Sequence, residues 1–310
     1  DATAQSLKDS DSWVILSPIE KSIKEKIERI GTPLKDWDIS INYGIKTGFN
    51  DAFIVNEQKR AEILDTCKDT AERKRTDEII RPILRGRDIK RYSYEWANLY
   101  LLFIPWHFPL HNDENIVGVS AKAEREFERQ YPEVFSHLLK YKKELSARNE
   151  AEVNVRYEWY ALQRWAANYW DDFSKPKILW GDISDSPKFA LDAKGDFFCT
   201  NTVYFMTGNT LEFLFCYLNS PLSEHLFSNI GSSTGVGTTR WQSFTIEQLL
   251  VPRITSEEKD KFMQLHSQLT QGKAADVDIN RRIYALCGLS EKEIAFIEKT
   301  RLPSESPSFQ

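Results

Sequence analysis

The sequence predicts an α+β fold, a mixed β-sheet region flanked by N- and C-terminal helices, and three observations carry that expectation. Apolar residues recur at helical spacing near both ends of the 310-residue chain. Between those ends, short β-like runs alternate with helical stretches. A composition of 41% hydrophobic and 13% aromatic residues supplies enough apolar surface for a substantial core.

The elements follow in order. SPIEKSIKEKIERI, from Ser17 to Ile30, opens with a Ser cap and Pro at the first helical position, and carries Ile19, Ile23, Ile27 and Ile30 on one face. Thr32 and Pro33 end it. The runs DISINYGI, NDAFIV, LYLLFIP, KPKILWGDI and DFFCTNTVYFM read as strands. AKAEREFERQYPEVFSHLLKYKKELSAR reads as a helix interrupted at Pro132, its second half placing Val134, Leu138, Leu139 and Leu145 on one stripe. TSEEKDKFMQLHSQLTQ begins with a Thr cap and a Glu three residues on, and INRRIYALCGLSEKEIAFIEK reads as two helices split by Gly288. The expected divisions are 1–36, an N-terminal linker and helix; 37–254, the mixed region; and 255–310, a helical region whose last residues, LPSESPSFQ, read as disordered. The opening DATAQSLKDSDSW reads as the interior of a longer polypeptide.

Composition excludes several classes. Cys67, Cys199, Cys216 and Cys287 are too scattered for a disulfide ladder or a CxxC zinc site, so a reducing cytoplasm is the simplest compartment. His107 and His111 read as a loop coincidence, because no third ligand is placed by spacing. No apolar run approaches the roughly 18 to 20 residues of a membrane span. No polar-Pro-Pro-aromatic loop, no glycine turn after a strand and no GK[ST] phosphate loop occurs, and no nucleophile, base and orienter can be named together. Catalysis and a bound cofactor are therefore not expected of this chain.

One charge feature stands out. The formal net charge is −5, yet between Arg73 and Arg91 eight basic residues accompany three acidic ones. Such a band is either a solvated or internally paired surface or the place where a polyanion is held. Within RPILRGRDIKRY, at 81–92, Gly86 permits a tight turn that projects Arg85 and Arg87, while Arg87 and Asp88 could instead pair with each other.

The ordered motifs carry a resemblance. GIKTGFNDAFIV (44–55) with IIRPILRGRDIKRY (79–92) resembles the paired signature of the TaqI-like C-terminal specificity, or target-recognition, domains of type IIG restriction-modification enzymes and adenine-specific DNA methyltransferases. YPEVFSHLLKYKKELSAR, WYALQR, KPKILWGDIS, FALDAKGDFFCTNTVYFMTG, LNSPL, FTIEQLLVPRI and INRRIYALCGLSEKEIAFIE are similar to later steps of that family, Cys287 standing where an aromatic is commoner. The resemblance spans about Trp37 to Glu298.

The resemblance implies a division of labour. This chain would read double-stranded DNA, and a methyltransferase domain of the same polypeptide, upstream, would act with S-adenosylmethionine, with magnesium if the parent also cleaves. Phage defence in the cytoplasm would be the setting. The candidate DNA-binding residues are Lys46, Thr47 and Asn50, which are equally good turn-formers; Arg85, Arg87, Lys90 and Arg91; Arg156 and Arg164; and Ser233, Thr234, Thr238 and Arg240 in a glycine-rich loop that could equally be a linker. Arg85 is the first choice for a base contact and Arg87 the one expected against Asp88. The alternative is a protein-interaction or ligand-binding module in which the basic band is an internal salt-bridge network.

Overall fold

The computed structural model describes residues 16–233, 238–273 and 275–300. Ser17 caps the first helix, Pro18–Ile30, in a full capping box with Glu20, and Ile23 and Ile27 are buried as the spacing requires. Three later helices close the chain: Ser256–Thr270, capped by Thr255, then Asp276–Leu286 and Glu291–Thr300, divided at Gly288 with φ 60°. The expected disordered tail lies outside the described residues.

Between these helices lies a mixed β architecture. A central antiparallel sheet runs in the order Phe189–Asp192, Lys177–Gly181, Val203–Gly208, Ile39–Tyr43. A second sheet runs Phe198–Cys199, Ile80–Leu84, Leu99–Leu102, Ile54–Asn56, with its first pair parallel and the others antiparallel. A small antiparallel sheet joins Ser232–Ser233, Thr239–Arg240 and Ile183–Ser184.

The two faces of the central sheet feed two cores. Leu179, Ala190, Val203 and Phe205 face one, packed with the second sheet and the helices Ala121–Gln130 and Pro132–Leu139. Ile178, Trp180, Phe189 and Met206 face the other, with the first helix and the C-terminal helices. The period of two along each strand makes this division. The first helix and the C-terminal helices therefore meet on one side of the sheet, and Gly31–Pro33 pairs with Leu250–Pro252.

Two local expectations shift. The first half of NDAFIV is a helical turn, Asn50–Phe53, and only Ile54–Asn56 is strand. Leu139, expected on the buried stripe, is 47% exposed, while Val134, Leu138 and Leu145 are buried. Successive helical residues are about 100° apart, so Leu139 turns away from the face that Val134 and Leu138, four residues apart, share.

Candidate nucleic-acid interface

The GIKTGFN turn is built by close backbone approach. A side chain at Gly44 would place its Cβ 2.2 Å from the Cys199 carbonyl oxygen, so only glycine fits. Ile45 then donates to the Cys199 carbonyl at 2.8 Å, and Asn201 donates to the Ile45 carbonyl at 3.0 Å. Lys46 exchanges both backbone hydrogen bonds with Arg164, at 3.0 and 2.9 Å. This ladder leaves the Lys46 side chain exposed and unpartnered among the described residues. Thr47 is buried, its hydroxyl donating to Asn50 Oδ1 at 2.6 Å, so that pair shapes the turn; Asn50 itself is exposed.

RPILRGRDIKRY is part strand, part turn. Ile80–Leu84 is a strand with Arg81 exposed, and Gly86–Asp88 is a single 3₁₀ turn. Asp88, buried, accepts from the Arg85 backbone N–H at 2.8 Å and from the guanidinium at 2.9 Å (Nε) and 2.7 Å (Nη2). Bonding to Asp88 holds the Arg85 pKa above its ordinary value. This reverses the expected pairing: Arg85 is engaged, and Arg87 is exposed with no partner among the described residues. A 3₁₀ turn superposes residues three apart, whereas neighbours in sequence point away from one another. Lys90 pairs with Glu95 at 3.4 Å. Arg91 is drawn inward, donating to the Asn219 carbonyl at 3.1 and 3.0 Å.

The Gly86 turn lies against Gly181, where a Cβ would come within 3.7 Å of the Gly86 Cα. Asp182 donates to the Thr202 carbonyl at 3.0 Å, and Trp241 donates to the Asp182 carbonyl at 2.8 Å. Through this junction the arginine turn meets the hairpin of the glycine-rich loop. Arg240, exposed, reaches Asp182 at only 3.7 Å, and Asp182 Oδ1 is buried without a hydrogen-bond partner. Thr238 is half-buried, and Ser233 is described only through its strand pairing with Thr239. Thr234 lies outside the described residues.

Lys46, Asn201, Thr202, Arg87 and Arg240 thus follow one strip of exposed residues over paired backbone. Its central polar pair, Asn201 and Thr202, was not singled out from sequence. The signal was there, a polar TNT step inside the apolar run FFCTNTVYFM.

Arg156 and Arg164 sit beyond one end of the strip. Arg164 is held bidentately by Glu152, at 2.8 and 2.9 Å, and Arg156 reaches the same carboxylate at 3.2 Å. The guanidinium of Arg164 draws the Glu152 carboxyl below its ordinary pKa. Of the sequence candidates, the structure thus brings Lys46, Arg87 and Arg240 to one surface as loosely held cations. It engages Thr47, Arg85, Arg91 and Arg164 in the framework. Among the described residues no cluster of three metal-ligating side chains occurs, and no helix is long and apolar enough to cross a membrane.

Residues 81–251 match the TaqI-like C-terminal specificity domain family. The type II methyltransferase M.MjaIV of Methanocaldococcus jannaschii is 22% identical over 230 residues, 73% of this chain and 68% of that protein. Among solved structures, the type IIG restriction endonuclease BpuSI aligns over 91% of this chain and 32% of its own, with TM-score 0.52 and 12% identity. The type IIL restriction-modification enzyme MmeI, solved in complex with DNA, aligns over 87% and 36%, with TM-score 0.54 and 10% identity. The two structures share the fold, and this chain spans about a third of each.

Proposed function

This chain belongs to the family of TaqI-like C-terminal specificity domains, and from that premise we propose that it reads double-stranded DNA sequence for a restriction-modification methyltransferase. The observation that carries the reading to particular residues is the strip itself: Lys46, Arg87 and Arg240 stand over a backbone that hydrogen bonds hold rigid. A planar guanidinium on such a base can grip a phosphate or the O6/N7 edge of guanine with two bonds. Exposed Asn201 and Thr202 add donors and acceptors between the cations.

The rest of the reading follows the family. Adenine N6 methylation, cleavage or both belong to other domains of the parent polypeptide, with S-adenosylmethionine and, for cleavage, magnesium bound there. The setting is cytoplasmic phage defence. The pairing of Arg85 and Lys90 with acidic partners favours the alternative, an internally paired surface, for that part of the band.

Selection from a random duplex library, followed by salt titration of the enriched sequence, tests the proposal. Enrichment of a defined sequence is expected, bound at micromolar or weaker strength. With about three phosphate contacts, log affinity should fall with log salt at a slope of about −3. Absence of duplex binding at low salt, or binding with no enriched sequence, overturns it. Tight binding of S-adenosylmethionine to this chain, seen by calorimetry, would overturn the division of labour.

A further inference from the structure

His107 and His111, which their spacing left without a metal, line one cavity. Beside the strip opens a cavity of about 310 Å³, walled by Tyr43, Trp106, His111, Trp165, Asn168 and Tyr169. Its volume is at the small end of ligand sites, about 300 to 1,000 Å³. Its rim is continuous with the strip, because Arg164 lines it and pairs through its backbone with Lys46.

The walls favour a neutral, planar guest. Arg164, the cation at the rim, is neutralised by its two bonds to Glu152. One wall is fixed: Trp106 stacks on Tyr157 at 4.7 Å, donates to the Leu162 carbonyl at 2.8 Å and has Arg156 and Arg164 over its ring. Trp165 differs, since its ring neighbours Phe103 and His111 stand at interplanar angles of 67° and 79° and neither is stacked on it. A polar group is at hand as well, because the exposed Asn168 amide has no hydrogen-bond partner among the described residues.

The backbone around the cavity is also unusual. His107 and Ala166, both lining it, take φ values of 61° and 65°, a left-handed conformation that non-glycine residues seldom adopt and that concentrates at functional sites.

We infer that this cavity receives one unpaired nucleobase of DNA docked along the strip, stacked on Trp165 and hydrogen-bonded through Asn168. The inference rests on the DNA-reading function proposed above. A base out of its stack offers the flat face and edge hydrogen-bonding groups that this site lacks.

The test uses the whole chain and three probes: a duplex with one bulged 2-aminopurine, the same duplex fully paired, and free 2-aminopurine deoxyriboside. The bulged duplex is expected to bind about tenfold more tightly than the paired one, with its fluorescence quenched by stacking. Trp165→Leu should abolish that preference and leave paired-duplex affinity unchanged. Asn168→Ala, at an exposed position, should reduce the preference about threefold and serves if the first variant folds poorly. Equal affinity for bulged and paired duplexes overturns the cavity's role and leaves the DNA-reading proposal standing. Saturable quenching by the free deoxyriboside without a bulge preference assigns the cavity to a free nucleoside and overturns the DNA source. Failure of both duplexes to bind overturns both proposals.

Discussion

The strip and the helical end of the molecule use the same charged residue types in opposite ways. At the helical end, Glu293 is buried and accepts from Lys26 Nζ at 2.6 Å, Ser22 Oγ at 2.7 Å and Ser290 at 2.7 and 2.8 Å. Arg282 grips Glu258 through two bonds of 2.7 Å. On the strip, Lys46 and Arg87 have no partner among the described residues, and Arg240 has one at 3.7 Å. A charge held by several bonds has exchanged its water for protein and is fixed; a charge left in water keeps its freedom until a partner arrives. The difference separates charges that tie the terminal helices together from charges available to an outside anion.

The largest expected effect concerns the framework beneath the strip. Arg148 donates to the carbonyls of Thr47 (2.6 Å), Leu145 (2.9 Å), Trp159 (2.7 Å) and Ala161 (2.8 Å), so one guanidinium ties the GIKTGFN turn to the WYALQR segment. Burial pushes its pKa down to about 10, which leaves it charged at neutral pH. Arg148→Met should cost about 3 to 5 kcal/mol in urea unfolding, because buried carbonyls lose their donors. Arg148→Lys should not restore it, since an ammonium cannot span the fork of acceptors. A loss below about 0.5 kcal/mol, the scale of ordinary surface changes, would place Arg148 with the free charges instead.

A smaller effect is expected at the helical end, and it depends on pH. Burial alone would raise the Glu293 carboxyl, but bonds from Lys26, Ser290 and Ser22 outweigh it and hold the pKa at about 2, against 4.5 ordinarily. A carboxyl depressed by folding stabilises the fold above its unfolded pKa, and that stabilisation is lost as pH falls through the folded value. Glu293→Gln should therefore cost about 1 to 2 kcal/mol at pH 7. The gap between variant and parent should narrow as pH is lowered from about 4.5 towards 2. An unchanging gap across that range would mean that the carboxylate charge is not what joins the two helices.

How much of this was legible in the sequence depends on the range of the interaction. The first helix followed from Ser17, Pro18 and the isoleucine spacing, each within four residues of the next, and the strand runs from their β-branched and aromatic content. Which of Arg85 and Arg87 pairs with Asp88 is not legible locally, because a 3₁₀ turn cannot be told from an open bend by a glycine alone. The cavity was not legible at all. Its walls come from residues 43, 106–111 and 164–169, joined by the Lys46–Arg164 bridge and by Leu162 donating to the Ile104 carbonyl at 2.9 Å. No local rule predicts those pairings.

The smallest effect on folding is expected inside RPILRGRDIKRY, where the comparison is repeated within three residues. Arg87→Ala removes an exposed side chain with no partner, so unfolding should change by no more than about 0.5 kcal/mol. Its cost should appear on DNA, as about 1 to 3 kcal/mol with relaxed choice at one base if Arg87 reads a base edge. If it touches only phosphate, the loss should be even across sequences and the salt slope should fall by about one. Arg85→Ala removes the guanidinium from Asp88, which among the described residues keeps only its bond from the residue 85 backbone N–H, so its effect should appear first in unfolding. The two variants, each measured by urea unfolding and by duplex binding, form a crossed design. Equal losses in both assays would show that the turn acts as a unit, whereas a DNA defect confined to Arg85→Ala would mean that Asp88 releases its arginine to the duplex and that pairing here does not mark a structural charge.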